Sequence, residues 1–289
     1  MVAVFKKDFK SALTGMTGVI FITAVLVFVG IFTALIHFVN GAAQFEYALI
    51  SASFASLLLT PVLTMRSFSE ERKMKTDQLL YSLPISTYEI VMGKFLAMAA
   101  IFAIPCAVFC LYPLVFTLFC EGSINYIMTY GAIIAYFLLG CAIIAICMFI
   151  SSLTESQVIS AIISIAAILL VYFLAQFSAY IPTDDWFSLM VIVILSLVVA
   201  GIVYSATKNY IAAVSVGAVL VIAAAVVYIV KPALYVGLAS QMISGICVFL
   251  PIQAFGNGVF DITAYVYYIS LIALFIFVTV QTFEKRRWN

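Results

Sequence analysis

Residues 126–150 read YIMTYGAIIAYFLLGCAIIAICMFI, twenty-five positions without one charged side chain. As an α-helix such a run is about 37 Å long, more than the roughly 30 Å of hydrocarbon in a bilayer. Seven more apolar runs follow the same pattern, near 16–39, 47–65, 94–119, 158–180, 187–206, 210–230 and 262–282. Hydrophobic residues make up 66% of the chain, against roughly half in soluble domains. The sequence therefore predicts an all-α, polytopic membrane protein of about eight transmembrane helices, forming one domain over residues 1–289. The net charge is +1 and no long basic tract occurs, so no nucleic-acid partner is expected. The apolar run after MVAVFKKDFKSALTGMTG is too long for a signal-peptide core, and no cleavable leader is expected.

An even number of spans puts both termini on one side, and the basic residues say which. Lys6, Lys7, Lys10, Arg66, Arg72, Lys73, Lys75, Lys94, Lys208, Lys285, Arg286 and Arg287 fall on one face, and only Lys231 on the other. Twelve against one predicts that the basic face is cytoplasmic. Tyr180 and Trp186 then mark outer span ends and Trp288 an inner one, as interfacial aromatics do.

Two segments are not plain spans. In residues 1–12, MVAVFKKDFKSA, Val4, Phe5 and Phe9 recur at helical spacing among three lysines. This reads as an amphipathic helix lying in the inner interface, the alternative being a basic flank of the first span. Residues 233–258 are apolar but interrupted by Gly237, Gly245, Pro251, Gly256 and Gly258. A ninth crossing there would move the basic C-terminal end outside, so a pair of outer re-entrant or interfacial helices is expected. Backbone of that kind needs protein or water around it at membrane depth.

Several activities lack their residues. No Asp, Glu, Lys or Arg lies in the middle third of any expected span, where a charge costs about 2.5–3.5 kcal/mol and is kept chiefly for moving ions. That argues against ion-coupled transport. The one histidine, His37, lies near an outer span end, and the six cysteines include no C-x-x-C pair, so neither a metal site nor a redox centre is expected. EERKMK at 70–75 has a superficial likeness to a membrane-protease motif, but no histidine-bearing partner motif accompanies it. The single Gly93–Lys94 pair has Tyr88 where a phosphate-binding loop needs its first glycine and Phe95 where it needs Ser or Thr. The chain is not expected to be an enzyme.

Charge collects instead in one place. Nine of the twenty-five Lys, Arg, Asp and Glu residues fall within positions 66–94, RSFSEERKMKTDQLLYSLPISTYEIVMGK. The stretch from Ser67 to Leu83 predicts a short amphipathic helix, with Ser67 or Ser69 as cap and Glu70 and Glu71 in the first turn. Phe68, Met74, Leu79, Leu80 and Leu83 supply its apolar contacts. Pro84 ends it, and Ser86 or Thr87 caps the next helix, with Glu89 in its first turn. A plain solvated loop that only sets topology is the alternative.

The arrangement F.EER...T..LL.SLPIS..EIV.GKF resembles the permeases of the ABC type 2 transporter family, and within it those associated with bacterial gliding motility. The C-terminal run PIQAFGNGVFDITAYVYYISLIALFIFVTVQTFEKRRW is similar to the last outer loop and final span of those proteins. The resemblance implies the transmembrane permease subunit of an ATP-driven transporter in the bacterial plasma membrane, exporting a hydrophobic or amphipathic substrate. It implies ABC ATPase subunits and a second permease subunit, the same or different, as partners within membrane lipid. No cofactor would be bound by this chain, while ATP and Mg would be held by the partner ATPase. Residues 66–93 would be the coupling-helix loop. By position, Glu70, Glu71, Arg72, Lys73, Thr76, Leu79 and Leu80 would face or brace the ATPase. Pro84 and Glu89 through Gly93 and Lys94 would transmit its motion to the third span. Family members have a six-span core, so 187–230 would be an added hairpin. A secondary carrier, and a structural membrane subunit of a larger complex, are the other classes compatible with the sequence.

Overall fold

A computed structural model describes residues 1–40, 45–75, 86–119, 125–178, 180, 182, 184–207, 209–231 and 234–287. Among the described residues there are fourteen α-helices and no strand. They are α1 (Val2–Thr14), α2 (Met16–Asn40), α3 (Phe45–Leu57), α4 (Thr60–Thr64), α5 (Arg66–Lys73), α6 (Thr87–Phe109) and α7 (Tyr112–Phe119). The rest are α8 (Tyr126–Leu153), α9 (Gln157–Ser178), α10 (Asp185–Thr207), α11 (Tyr210–Val230), α12 (Leu238–Ile246), α13 (Leu250–Gly256) and α14 (Ile262–Arg287).

Among the described residues, five helical stretches are long and apolar enough to cross a membrane: 16–36, 87–117, 126–153, 157–177 and 262–285. The number rises to seven if each of two bent helix pairs, 45–55 with 60–73 and 238–246 with 250–256, is one span. The fold is thus an all-α polytopic membrane protein. Six of the eight spans expected from sequence coincide with these segments. The other two, 187–206 and 210–230, are helices α10 and α11, 23 and 21 residues long, in which 185–201 and 214–228 are the apolar stretches described with all their side chains.

The chain divides into two compact units, residues 1–170 with 249–289, and residues 171–248. In the first, α8 is the central helix, and Ala132, Ala135, Leu139, Ala142 and Ile144 along it are fully buried. Small side chains there let α3, α4, α5, α6 and α14 approach closely, which is how helices pack where lipid supplies no hydrophobic drive. Toward the α3 N-terminus, Phe45, Phe109, Tyr112 and Phe116 form an aromatic cluster with ring centroids 5.0–6.3 Å apart.

The second unit contains the hairpin of α10 and α11 together with α12. Asp185, in the first turn of α10, accepts from the Tyr228 hydroxyl at 3.2 Å, and the Tyr235 hydroxyl donates to the Ala224 carbonyl at 2.8 Å. Ala239 N–H donates to Ser188 Oγ at 3.1 Å, tying the start of α12 to α10. Within the expected segment 233–258, the described residues from 234 onward contain two short helices, α12 and α13. Gly237 and Gly258, which precede and follow them, adopt the left-handed backbone, φ +72° and +74°, a conformation glycine enters without steric cost.

Candidate coupling site

The charged stretch begins as a continuation of the bent second span. Met65, between α4 and α5, has helical angles (φ −55°, ψ −31°) and no side-chain cap serves α5. Ser67 and Ser69 are therefore inside the helix rather than at its cap, a correction to the sequence reading. Ser69 Oγ turns back to the Met65 carbonyl. The first-turn donors are met from another helix. Phe68 N–H and Ser69 N–H both donate to Ser151 Oγ of α8, at 3.4 and 3.3 Å, and that hydroxyl lies 3.3 Å from the Met65 carbonyl. One serine eighty-two positions away thus does what a local cap does elsewhere.

The described part of the helix is also shorter than expected. It ends at Lys73, and Lys75 takes the left-handed conformation (φ 56°), its N–H donating to the Arg72 carbonyl at 3.0 Å. Such a residue closes a helix end. Thr76, Leu79, Leu80, Leu83 and Pro84 lie outside the described residues. Ser86 is the cap of α6, accepting from Glu89 N–H at 3.3 Å, as expected.

Two basic side chains fix α5 in place. Arg72, its side chain 11% exposed, donates through Nη1 to the carbonyls of Ser152 and Thr154, at 2.7 and 3.2 Å, and pairs with Glu155 at 3.7 Å. Those carbonyls sit at the C-terminal end of α8, where backbone acceptors lack helical partners and the dipole favours a cation.

Lys94, near the start of α6, is 3% exposed. Its ammonium donates to Glu71 Oε1 at 2.8 Å, to the Ser67 carbonyl at 2.8 Å and to Asp8 Oδ2 at 3.2 Å. It also lies 5.2 Å from the centre of the Phe68 ring, and that ring packs against Phe283 of α14 at 4.6 Å. Lys7 adds a second cation to Glu71 at 3.3 Å. A buried ammonium is tolerable only when its donors are used, and here two helices, α1 and α5, supply three acceptors.

Gly93, next to Lys94, has a packing role. A Cβ built there would lie 3.1 Å from the Met1 carbonyl oxygen and 3.1 Å from Val4 Cβ, so glycine lets α1 press against α6. The amphipathic N-terminal helix is present, with Val4 as its buried contact.

Of the residues singled out in the sequence, the structure brings Glu71 and Lys94 together and turns Arg72 onto the end of α8. Lys73, Met74 and Lys75 are exposed and Glu70 is half-buried. Ser151 and Asp8 were missed, because a lone serine and a lone acid carry no local signal of a contact more than eighty residues away. Among the described residues, no three His, Cys, Asp or Glu side chains come together in a way that could hold a metal.

Residues 2–185 match the ABC-2 family transporter protein family. No curated protein matches the chain. A match over more than half the sequence places the chain in the ABC-2 transporter family. It is therefore a multi-pass membrane component of an ABC transporter, and membership implies partnership with an ABC ATPase subunit. The match does not extend to the narrower likeness with gliding-motility permeases, and it stops at the first residue of α10.

Proposed function

We propose that the chain is the permease subunit of an ATP-driven exporter of a hydrophobic or amphipathic substrate, driven by a separate ATPase that docks on the charged segment. The observation that carries this reading is the node at Lys94. It joins the charged segment through Glu71 and Ser67, the N-terminal helix through Asp8, and the start of the third span through Lys94 itself. A force applied to α5 would reach α6 through short, buried, charge-assisted bonds. In this scheme Glu71 and Arg72 brace the segment from inside, while Lys73, Met74 and Lys75 offer the docking face.

The twelve-to-one basic asymmetry supports cytoplasmic termini and an orientation that presents this face to a cytoplasmic ATPase. A bacterial plasma membrane and a second permease subunit complete the assembly, with ATP and Mg bound in the ATPase. The test is co-purification. Replacing Lys73→Glu and Lys75→Glu together should weaken ATPase association while expression and membrane insertion stay unchanged. An ATPase that co-purifies equally with this variant would overturn the docking assignment.

A further inference from the structure

A cavity of about 460 Å³ opens beside the node, between α1, the start of α2, α4, α5 and α6, within the range of small-molecule sites. Its charged lining is balanced, with Lys7, Arg66 and Lys94 facing Asp8, Glu70 and Glu71. Four of these six are consumed by one another, since Lys94 holds Asp8 and Glu71, and Lys7 holds Glu71. Arg66 and Glu70, one helical turn apart on α5, make no ion pair among the described residues. Between them Ser67 Oγ is buried and finds no hydrogen-bond partner among the described residues, a state that costs about 1–3 kcal/mol for a buried hydroxyl. Among the described residues the cavity thus offers one cation and one carboxylate without an ion pair and one buried hydroxyl without a hydrogen-bond partner.

Its rim gives the second half of the ligand. Gly15 and Thr17 line the opening, and Met16, Val19 and Ile20 beside them are exposed apolar side chains on the first span. A water-soluble ligand has no use for that rim, whereas a molecule with hydrocarbon chains does. We propose that the cavity binds the headgroup of a zwitterionic, primary-amine phospholipid, a phosphoethanolamine lipid, from the leaflet at the basic end of the spans. Its phosphate pairs with Arg66 and accepts from the Ser67 hydroxyl. Its ammonium donates to Glu70, and its chains lie along Met16, Val19 and Ile20. An anionic glycerol headgroup offers Glu70 no cation, and a choline headgroup offers it no N–H donor.

The proposal does not rest on ATPase docking and is tested on the permease alone. The purified chain is equilibrated with equal amounts of phosphatidylethanolamine, phosphatidylcholine and phosphatidylglycerol, and retained lipid is counted by native mass spectrometry. Phosphatidylethanolamine should be retained preferentially. Arg66→Gln, at an exposed position, should lower its retention about tenfold, the value of one lost charge-assisted hydrogen bond. Glu70→Gln should abolish the preference over phosphatidylcholine while leaving phosphatidylcholine retention as it was. Ser67→Ala should weaken both lipids without lowering thermal stability, which separates binding from folding. Soluble glycerophosphoethanolamine should not displace the lipid at equal concentration. Equal retention of the three lipids, an unchanged preference in Glu70→Gln, or displacement by the soluble headgroup would overturn the proposal.

Discussion

Lys94 Nζ and Glu71 Oε1 lie 2.8 Å apart with side chains 3% and 15% exposed, closing a buried ion pair between the start of the third span and the charged segment before it. Asp8 from the N-terminal helix shares the same ammonium at 3.2 Å. A pair this enclosed is costly to break, because each partner left alone is a desolvated charge.

Lys94→Met should therefore destabilise the protein by about 3–5 kcal/mol, the usual cost of removing one partner of a buried pair. The double variant Lys94→Met with Glu71→Gln should recover a large part of that loss, since it leaves one buried carboxylate fewer. Thermal unfolding in detergent, read as a double-mutant cycle, measures the coupling. Additive losses would mean that the two side chains act separately.

Ser151→Ala removes the hydroxyl that meets the Phe68 and Ser69 N–H groups. A lost N-terminal cap costs about 0.5–2 kcal/mol, and the effect should be local. Hydrogen exchange over residues 66–73 should quicken, with exchange in the middle of α8 unchanged. Ser151→Thr keeps the hydroxyl and should restore the slow exchange.

These two sites mark what the sequence could and could not disclose. The uncharged runs gave the helices, because about twenty apolar residues in a row leave few other structures open. The α6 cap was legible because Ser86 and Glu89 N–H are three residues apart. The α5 cap was not, since its donors are met across space and the local serines are bypassed where α4 runs into α5 through Met65. Nor does linear charge pattern reveal that Lys94 is buried. A lysine beside an apolar run reads as an interfacial anchor, and only the approach of α1, permitted by Gly93, brings Asp8 to it. The hairpin at 187–230 was legible in the same way, its two uncharged runs forming helices α10 and α11 of 23 and 21 residues.

Topology gives a direct check on orientation. With native thiols replaced, a cysteine at position 74 should react with an impermeant reagent only from the cytoplasmic side, and one at position 184 only from outside. Met74 is well exposed in the structure, 68%, so failure to label would not come from burial. A cysteine at position 257, after α13, should label from outside if segment 233–258 returns to the face it left. Labelling of position 257 from the cytoplasm alone would make that segment a crossing and remove the even span count.

Energy coupling separates the permease from a carrier most sharply. Lys94 is charged, buried and close to a span, but it sits at the helix start among Asp8 and Glu71, all of which belong to the basic end. The long stretch of α8 from Tyr126 to Leu153 carries no ionisable carboxylate or ammonium at all. A coupled proton or sodium ion is usually carried by carboxylate or basic side chains along its path, and α8, the helix at the centre of the first unit, has none of its own. Transport reconstituted in liposomes with the partner ATPase should therefore stop when that ATPase is made hydrolysis-dead, and should survive an ionophore that collapses the ion gradients. Lys94→Met should leave hydrolysis by the bound ATPase measurable but reduce transport per ATP, because the link from α5 to α6 is cut while the outer face of α5 is intact. Transport that continues with the dead ATPase and vanishes with the ionophore would assign the chain to gradient-driven carriers instead.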